Sequence, residues 1–175
     1  LSVNLAGAQL HQVDLVEQVR ELLQRFNLHA PRLQLEITEN FLMHQTEEAL
    51  ITLHALKGLG VQLAIDDFGT GYSSLSYLKR LPLDILKIDQ SFIHGLPEDA
   101  QDAAITRAII ALGRTMGLTV IAEGVEREEQ EQFLASEGCD HVQGYALSPP
   151  LPADQFAARF LTPLHPIGAP QTTPV

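Results

Sequence analysis

Two hydrophobic rhythms alternate along this chain. Short apolar, β-branched runs recur at LSVNL (from Leu1), LQLEIT (from Leu33), VQLAID (from Val61), ILKID (from Ile85), TVIAEG (from Thr119) and HVQGY (from His141). Each has the length and residue types of a strand. Between them, apolar residues return at helical spacing. Leu15, Val16, Val19, Leu22, Leu23 and Phe26 form one stripe, and Leu50, Leu53 and Leu56 a second. A third comprises Ile105, Ala108, Ile109, Leu112 and Met116, in the longest gap, between Asp89 and Thr119. SSLSYLKRL has room only for a short helix. Regular alternation of strand and helix predicts parallel strands joined by right-handed crossovers.

The strand faces choose between two α/β architectures. Central strands of a doubly wound sheet are covered on both sides and read as continuous apolar runs. Here polar and apolar residues alternate. Leu33, Leu35 and Ile37 oppose Gln34, Glu36 and Thr38; Val61, Leu63 and Ile65 oppose Gln62 and Asp66; Leu86 and Ile88 oppose Lys87 and Asp89; His141 and Gln143 share a face. One face packs on helices and the other is polar, as in a barrel whose interior opens on a site. The expected fold is a (β/α) TIM-like barrel, incomplete here, with about six parallel strands of the usual eight.

Composition narrows the chemistry. No apolar run approaches the roughly 18 residues of a membrane span. A single cysteine, Cys139, among 175 residues excludes an internal disulfide framework and fits a reducing cytoplasm. The net charge of −11 argues against duplex nucleic acid as a partner. A small phosphate ligand is still acceptable if divalent cations lie between it and the carboxylates. The segment from Thr162 carries four prolines and no apolar period, and is expected to be a flexible tail over 162–175 behind one domain over 1–161. Leu1 opens directly into a strand-like run, which reads as the N-terminally truncated side of that domain.

Asn4, Glu36, Asp66, Lys87, Glu123 and Gln143 each fall at or near the C-terminal end of a different strand, on its polar face. In a parallel barrel these ends converge on one mouth, where active sites lie. Carboxylates gathered there resist ionisation unless a cation joins them. Oxygen donors suit Mg²⁺ or Mn²⁺ better than zinc. Asp66 can bridge two ions through its two oxygens, and Asp67 can turn toward the second as the strand ends. Lys87 can hold a water or charge developing on phosphate. FGTGYSS, from Phe68, supplies the tight path of an active-site loop. Taken singly, these residues have plainer readings. Thr38, Ser73 or Ser91 can cap a helix, Asp66-Asp67 can make a turn, and Lys87 can snorkel. The shared facing at six strand ends outweighs them. His11, His54, His94 and His165 show no such pattern, His141 has no paired ligand, and Cys139 fits a small buried residue.

These motifs resemble the EAL domain family of cyclic di-GMP phosphodiesterases. The resemblance runs from Leu1 to about Phe160 through SVNL, LEITE, IDDFGTGYSSLSYL, LKIDQSF, AEGVE and QGY. It implies that Asn4, Glu36 and Asp66 hold one metal and that Asp66 and Asp67 hold a second, supported by Glu123. It also implies that Lys87 contacts the attacking water, with Asp89 beside it in the KID motif. Gln143 and Asp67 would lie at the substrate, and Glu39 would anchor the loop Phe68–Ser74. The implied reaction is two-metal-assisted attack of water on a phosphodiester of cyclic di-GMP, giving linear pGpG. A non-catalytic cyclic di-GMP-binding module is the alternative. The resemblance places the family's Glu-Ala-Leu motif before Leu1, so the chain alone is expected to be inactive. An upstream GGDEF or sensory domain and a homodimer are further implied associations.

Overall fold

The computed structural model describes residues 1–42, 47–71 and 75–161. Six strands form one sheet: β1 (Ser2–Asn4), β2 (Gln34–Thr38), β3 (Gln62–Phe68), β4 (Ile85–Ile88), β5 (Thr119–Ala122) and β6 (His141–Val142). They pair in sequence order, every pair parallel. The helices are α1 (Gly7–Leu10), α2 (Leu15–Arg25), α3 (Glu39–Leu42), α4 (Glu47–Gly58), α5 (Leu75–Leu78), α6 (Ala100–Met116), α7 (Glu128–Glu137) and α8 (Ala153–Phe156). The sheet curls into a half-barrel. Among the described residues β1 and β6 each pair with one neighbour only, so the ring is open. The Pro-rich segment 162–175 lies outside the described residues. No described helix is long and apolar enough to cross a membrane.

The outward apolar face of the strands makes the core. Leu35, Ile37, Leu63, Ile65, Leu86, Ile88 and Val120 are buried together with Leu50, Leu53 and Leu56 of α4 and Ile109 and Ile110 of α6. Crossover helices cover that face because only there do apolar side chains of both elements meet. The starts of β3 and β5 are tied down by aspartates. Asp84 accepts a hydrogen bond from Leu63 N–H at 2.9 Å, and Asp140 from Val120 N–H at 2.8 Å.

Three elements depart from the periodicity. On α6 the buried stripe is Ala103, Thr106, Ile109, Ile110 and Gly113, while Ala108 is exposed. At Gly113 the helix approaches the sheet closely: a Cβ there would lie 2.4 Å from Val120 Cγ2. Gly113→Val should therefore destabilise the domain by about 1–3 kcal/mol through overpacking, measurable by urea unfolding. On α2 Leu15 and Val19 are buried, but Leu22 and Phe26 are 50% and 68% exposed. With Leu1 and Val3 they line an apolar groove of about 500 Å³ on the open β1 side. Strand β6 stops at Val142 rather than reaching Tyr145, because the chain there turns onto the neighbouring loop.

Candidate active site

Strand register sets the site. Asn4 pairs with Glu36 across β1 and β2, and Thr38 with Asp66 across β2 and β3. Lys87 pairs with Ile121, two residues before Glu123 on the same face, and Ile121 pairs with His141, two before Gln143. Each residue thus steps along the mouth with the stagger of a barrel. The β3–β4 register shifts between Ile65 and Phe68, and Asp67 takes a left-handed φ of 54°. A bulge of this kind re-aims side chains beside active sites. It lets both aspartates address one point although strict alternation would part them. The left-handed backbone is uncommon for a residue with a Cβ, and such strain clusters at functional sites.

Lys87 lies at the centre, 3% exposed. Its Nζ is 3.0 Å from Glu36 Oε2, 2.9 Å from Asp66 Oδ1 and 2.7 Å from Glu123 Oε1. Burial alone would push its pKa down. The ion pairs with Glu123, Asp66 and Glu36 outweigh burial and hold it above the ordinary lysine value. Asp66 Oδ1 is buried and, among the described residues, has no aligned hydrogen-bond donor; its charge is met by the ammonium at 2.9 Å. Ligand oxygens of Asp66, Asp67 and Glu123 lie within 4.8 Å of one another. Burial, then the charges of Asp66 and Asp89, raise the Asp67 pKa against the pull of Lys87. Burial raises that of Glu123, opposed by Lys87 and assisted by Asp66. Three hard carboxylates drawn to one point and raised acid pKa values fit a divalent cation.

The sign of this effect is testable. Asp67 and Glu123 have folded pKa values raised above their unfolded ones, so their favourable contribution is present at low pH and lost as pH rises through the raised values. A cation reverses that loss by binding the ionised forms. Stabilisation by Mn²⁺, read as a thermal shift, should grow with pH and fall away on acidification above the ordinary carboxylate range of about 4.

The other expected residues stand around this cluster. Glu36 reaches it through Lys87, and its Oε1 accepts a hydrogen bond from Gln34 Nε2 at 2.8 Å. Asn4 is exposed at the β1 edge beside Glu36. Glu39 is buried, and its Oε2 accepts from Gly69 N–H at 2.8 Å and Gly71 N–H at 3.1 Å. Tyr72 to Ser74 lie outside the described residues, including the cap expected at Ser73. Asp89 caps a 3₁₀ turn at Gln90–Phe92, accepting from Ser91 N–H at 2.9 Å, so the cap is Asp89 and not Ser91. Cys139 is half-buried and donates to the carbonyls of Val120 and His141; burial raises its pKa.

A cleft of about 390 Å³ opens beside the cluster, lined by Asp67, Asp89, Glu123, Glu126, Gln143 and Tyr145 among others. Glu126 and Tyr145 were given no role from the sequence, although AEGVE and QGY contain them. Three loops meet at this cleft. Val125 N–H donates to the Gln143 carbonyl at 3.0 Å, and Ala146 N–H to the Val125 carbonyl at 2.9 Å. Gly144 makes this approach workable: a Cβ there would fall 2.1 Å from the Val125 oxygen.

A parallel β/α half-barrel that gathers carboxylates and one buried lysine at the C-terminal ends of its strands is a TIM-barrel-type site. The chain belongs to the EAL domain family, whose pattern matches residues 1–150. The bifunctional diguanylate cyclase/cyclic di-GMP phosphodiesterase MucR of Pseudomonas aeruginosa is 49% identical over 158 residues, 90% of this chain and 23% of MucR. This chain thus spans under a quarter of that relative. The solved MucR phosphodiesterase in complex with c-di-GMP superposes with a TM-score of 0.84 at 50% identity, over 89% of this chain and 63% of that one. The manganese/cy-diGMP complex of Klebsiella pneumoniae BlrP1 gives 0.77 at 33% identity, over 83% and 37%.

Proposed function

We propose that this chain carries most of the active site of a cytoplasmic cyclic di-GMP phosphodiesterase that uses two Mg²⁺ or Mn²⁺ ions. The observation that carries the reading is buried Lys87, ringed by Glu36, Asp66 and Glu123 from three strands, with Asp67 turned to the same point. Asn4, Glu36 and Asp66 would hold one ion. Asp66, Asp67 and Glu123 would hold the other. When bound, such ions neutralise phosphate charge and lower the pKa of a water. Lys87 orients that water and meets charge developing on the phosphoryl oxygens. Glu123, paired with Lys87 at 2.7 Å, holds the ammonium toward that water. Asp89 fixes the backbone next to Lys87, and Gln143 and Asp67 face the substrate from the cleft. Water adds to phosphorus, one ester P–O bond breaks, and linear pGpG leaves.

The test is incubation of the full-length protein with cyclic di-GMP and Mg²⁺ or Mn²⁺, with product analysis. Linear pGpG formed only with metal supports the reading; binding without turnover makes the chain a cyclic di-GMP receptor instead. The 175-residue chain alone should be inactive, because its open β1 edge leaves Asn4 exposed and half of the lumen uncovered. A cyclase domain elsewhere in the full protein, as the description of MucR indicates for that relative, and self-association through the exposed apolar β1 side complete the proposal.

Glu39→Ala should raise the metal and substrate concentrations needed for half-maximal rate, since it frees the amides of Gly69 and Gly71 next to Asp67. The effect should be about 10–100-fold, the usual cost of losing a group that supports a metal ligand. Unchanged metal dependence would remove the anchoring role.

A further inference from the structure

Gln130 is 1% exposed, on the third position of α7, and the phosphodiester chemistry assigns it nothing. Its side chain nevertheless uses every donor and acceptor it has. Oε1 accepts from Glu126 N–H at 2.8 Å and from Arg127 N–H at 3.0 Å. Nε2 donates to the Ile93 carbonyl at 3.0 Å and to the His94 carbonyl at 3.3 Å. The first pair belongs to the loop that follows β5 and carries Glu123. The second belongs to the segment that follows β4, just beyond Lys87 and Asp89. We infer that Gln130 is a positioning residue that joins these two loops from beneath and thereby sets Glu123 against Lys87.

The chemistry admits little else at this place. A primary amide has one oxygen with two lone pairs and one nitrogen with two hydrogens. Two backbone N–H groups face one side and two carbonyls the other, so only an amide satisfies all four. Leucine would remove the partner of the Glu126 and Arg127 N–H groups and of the His94 carbonyl, and leave the Ile93 carbonyl with Leu96 N–H alone. Ionised glutamate would satisfy the N–H groups but oppose two carbonyl oxygens; protonated, it can donate to one of them. The joint is continued above by Gly124, where a Cβ would lie 2.5 Å from Gln90 Cβ, and by the Val125–Gln143 hydrogen bond. The loops after β4, β5 and β6 thus form one body. Glu123 sits at its inner edge, 2.7 Å from Lys87. An arm of the cluster set by a buried joint is sensitive to loosening of that joint, because metal ligands must be held within fractions of an ångström.

This inference rests on the functional reading above, and its test separates the two. In the full-length protein, amide hydrogen exchange at Glu126 and Arg127 should speed up in Gln130→Leu, and Mn²⁺ affinity by calorimetry should fall by about 10-fold or more. Gln130→Glu should show both defects at pH 8 and recover toward wild type as pH falls through the titration of its own carboxyl, each value taken relative to wild type at the same pH. Protected exchange lost with Mn²⁺ affinity unchanged would overturn the coupling to Glu123. Exchange unchanged in both variants would overturn the joint itself. If wild type neither bound Mn²⁺ nor hydrolysed cyclic di-GMP, the phosphodiesterase reading would fall, and with it the coupling of Gln130 to catalysis.

Discussion

Asp66→Asn in the full-length protein is expected to lower metal-dependent hydrolysis of cyclic di-GMP by about 10³-fold, the scale of losing a principal electrostatic group. Asparagine keeps the size and one oxygen but removes the charge. Asp66 is the residue with most to lose. It is shared by both proposed ions, it touches Lys87 at 2.9 Å, and its Oδ1 is buried without an aligned donor. A neutral amide cannot bridge two cations, and Lys87 would be left with Glu36 and Glu123 alone. Calorimetry should show Mn²⁺ binding weakened together with turnover. Turnover within about tenfold of wild type, at unchanged metal requirement, would remove Asp66 from the metal site and return the Asp-Asp pair to a turn.

How far the site could be read beforehand depends on what places each residue. Lys87 and Glu36 are set by strand alternation, a period of two that is visible in letters, and the structure puts them on the facing that period requires. Asp67 is different. Alternation points it away from Asp66, and only a register shift with a left-handed residue brings both to one cluster. A bulge has no periodic signature. The six parallel strands in order were likewise legible, and of the α6 stripe Ile105, Ile109, Leu112 and Met116 pack on the core, with Ile109 buried. Ala108 faces out, and the close approach to the sheet falls at Gly113, which no apolar stripe marks. Hydrophobicity alone does not report how closely a helix must approach. Gln130 was invisible for a further reason: its partners are backbone groups of two loops, and no letter records where a carbonyl points.

Lys87→Met should lower turnover by about 10²–10³-fold while leaving cyclic di-GMP binding largely in place. The ammonium is buried among three carboxylates that favour its charged form. Its work is electrostatic, on the water and on charge that develops only as the ester breaks, which places the loss in kcat rather than in binding. The same substitution has a second, opposite-looking consequence. Without metal, Lys87 is the cation that neutralises Glu36, Asp66 and Glu123. Removing one partner of a buried ionic group costs about 3–5 kcal/mol, because the remaining charges stay buried and unpaired. The variant should therefore melt well below wild type in chelator at neutral pH. Mn²⁺, entering the same acidic cluster, should restore a larger share of its stability than it adds to wild type. Thermal unfolding of both proteins with and without Mn²⁺ reads this difference directly. Equal Mn²⁺ shifts in the two would mean that Lys87 and the metal do not answer the same carboxylates, and equal losses of binding and turnover would make Lys87 a ground-state contact with the substrate.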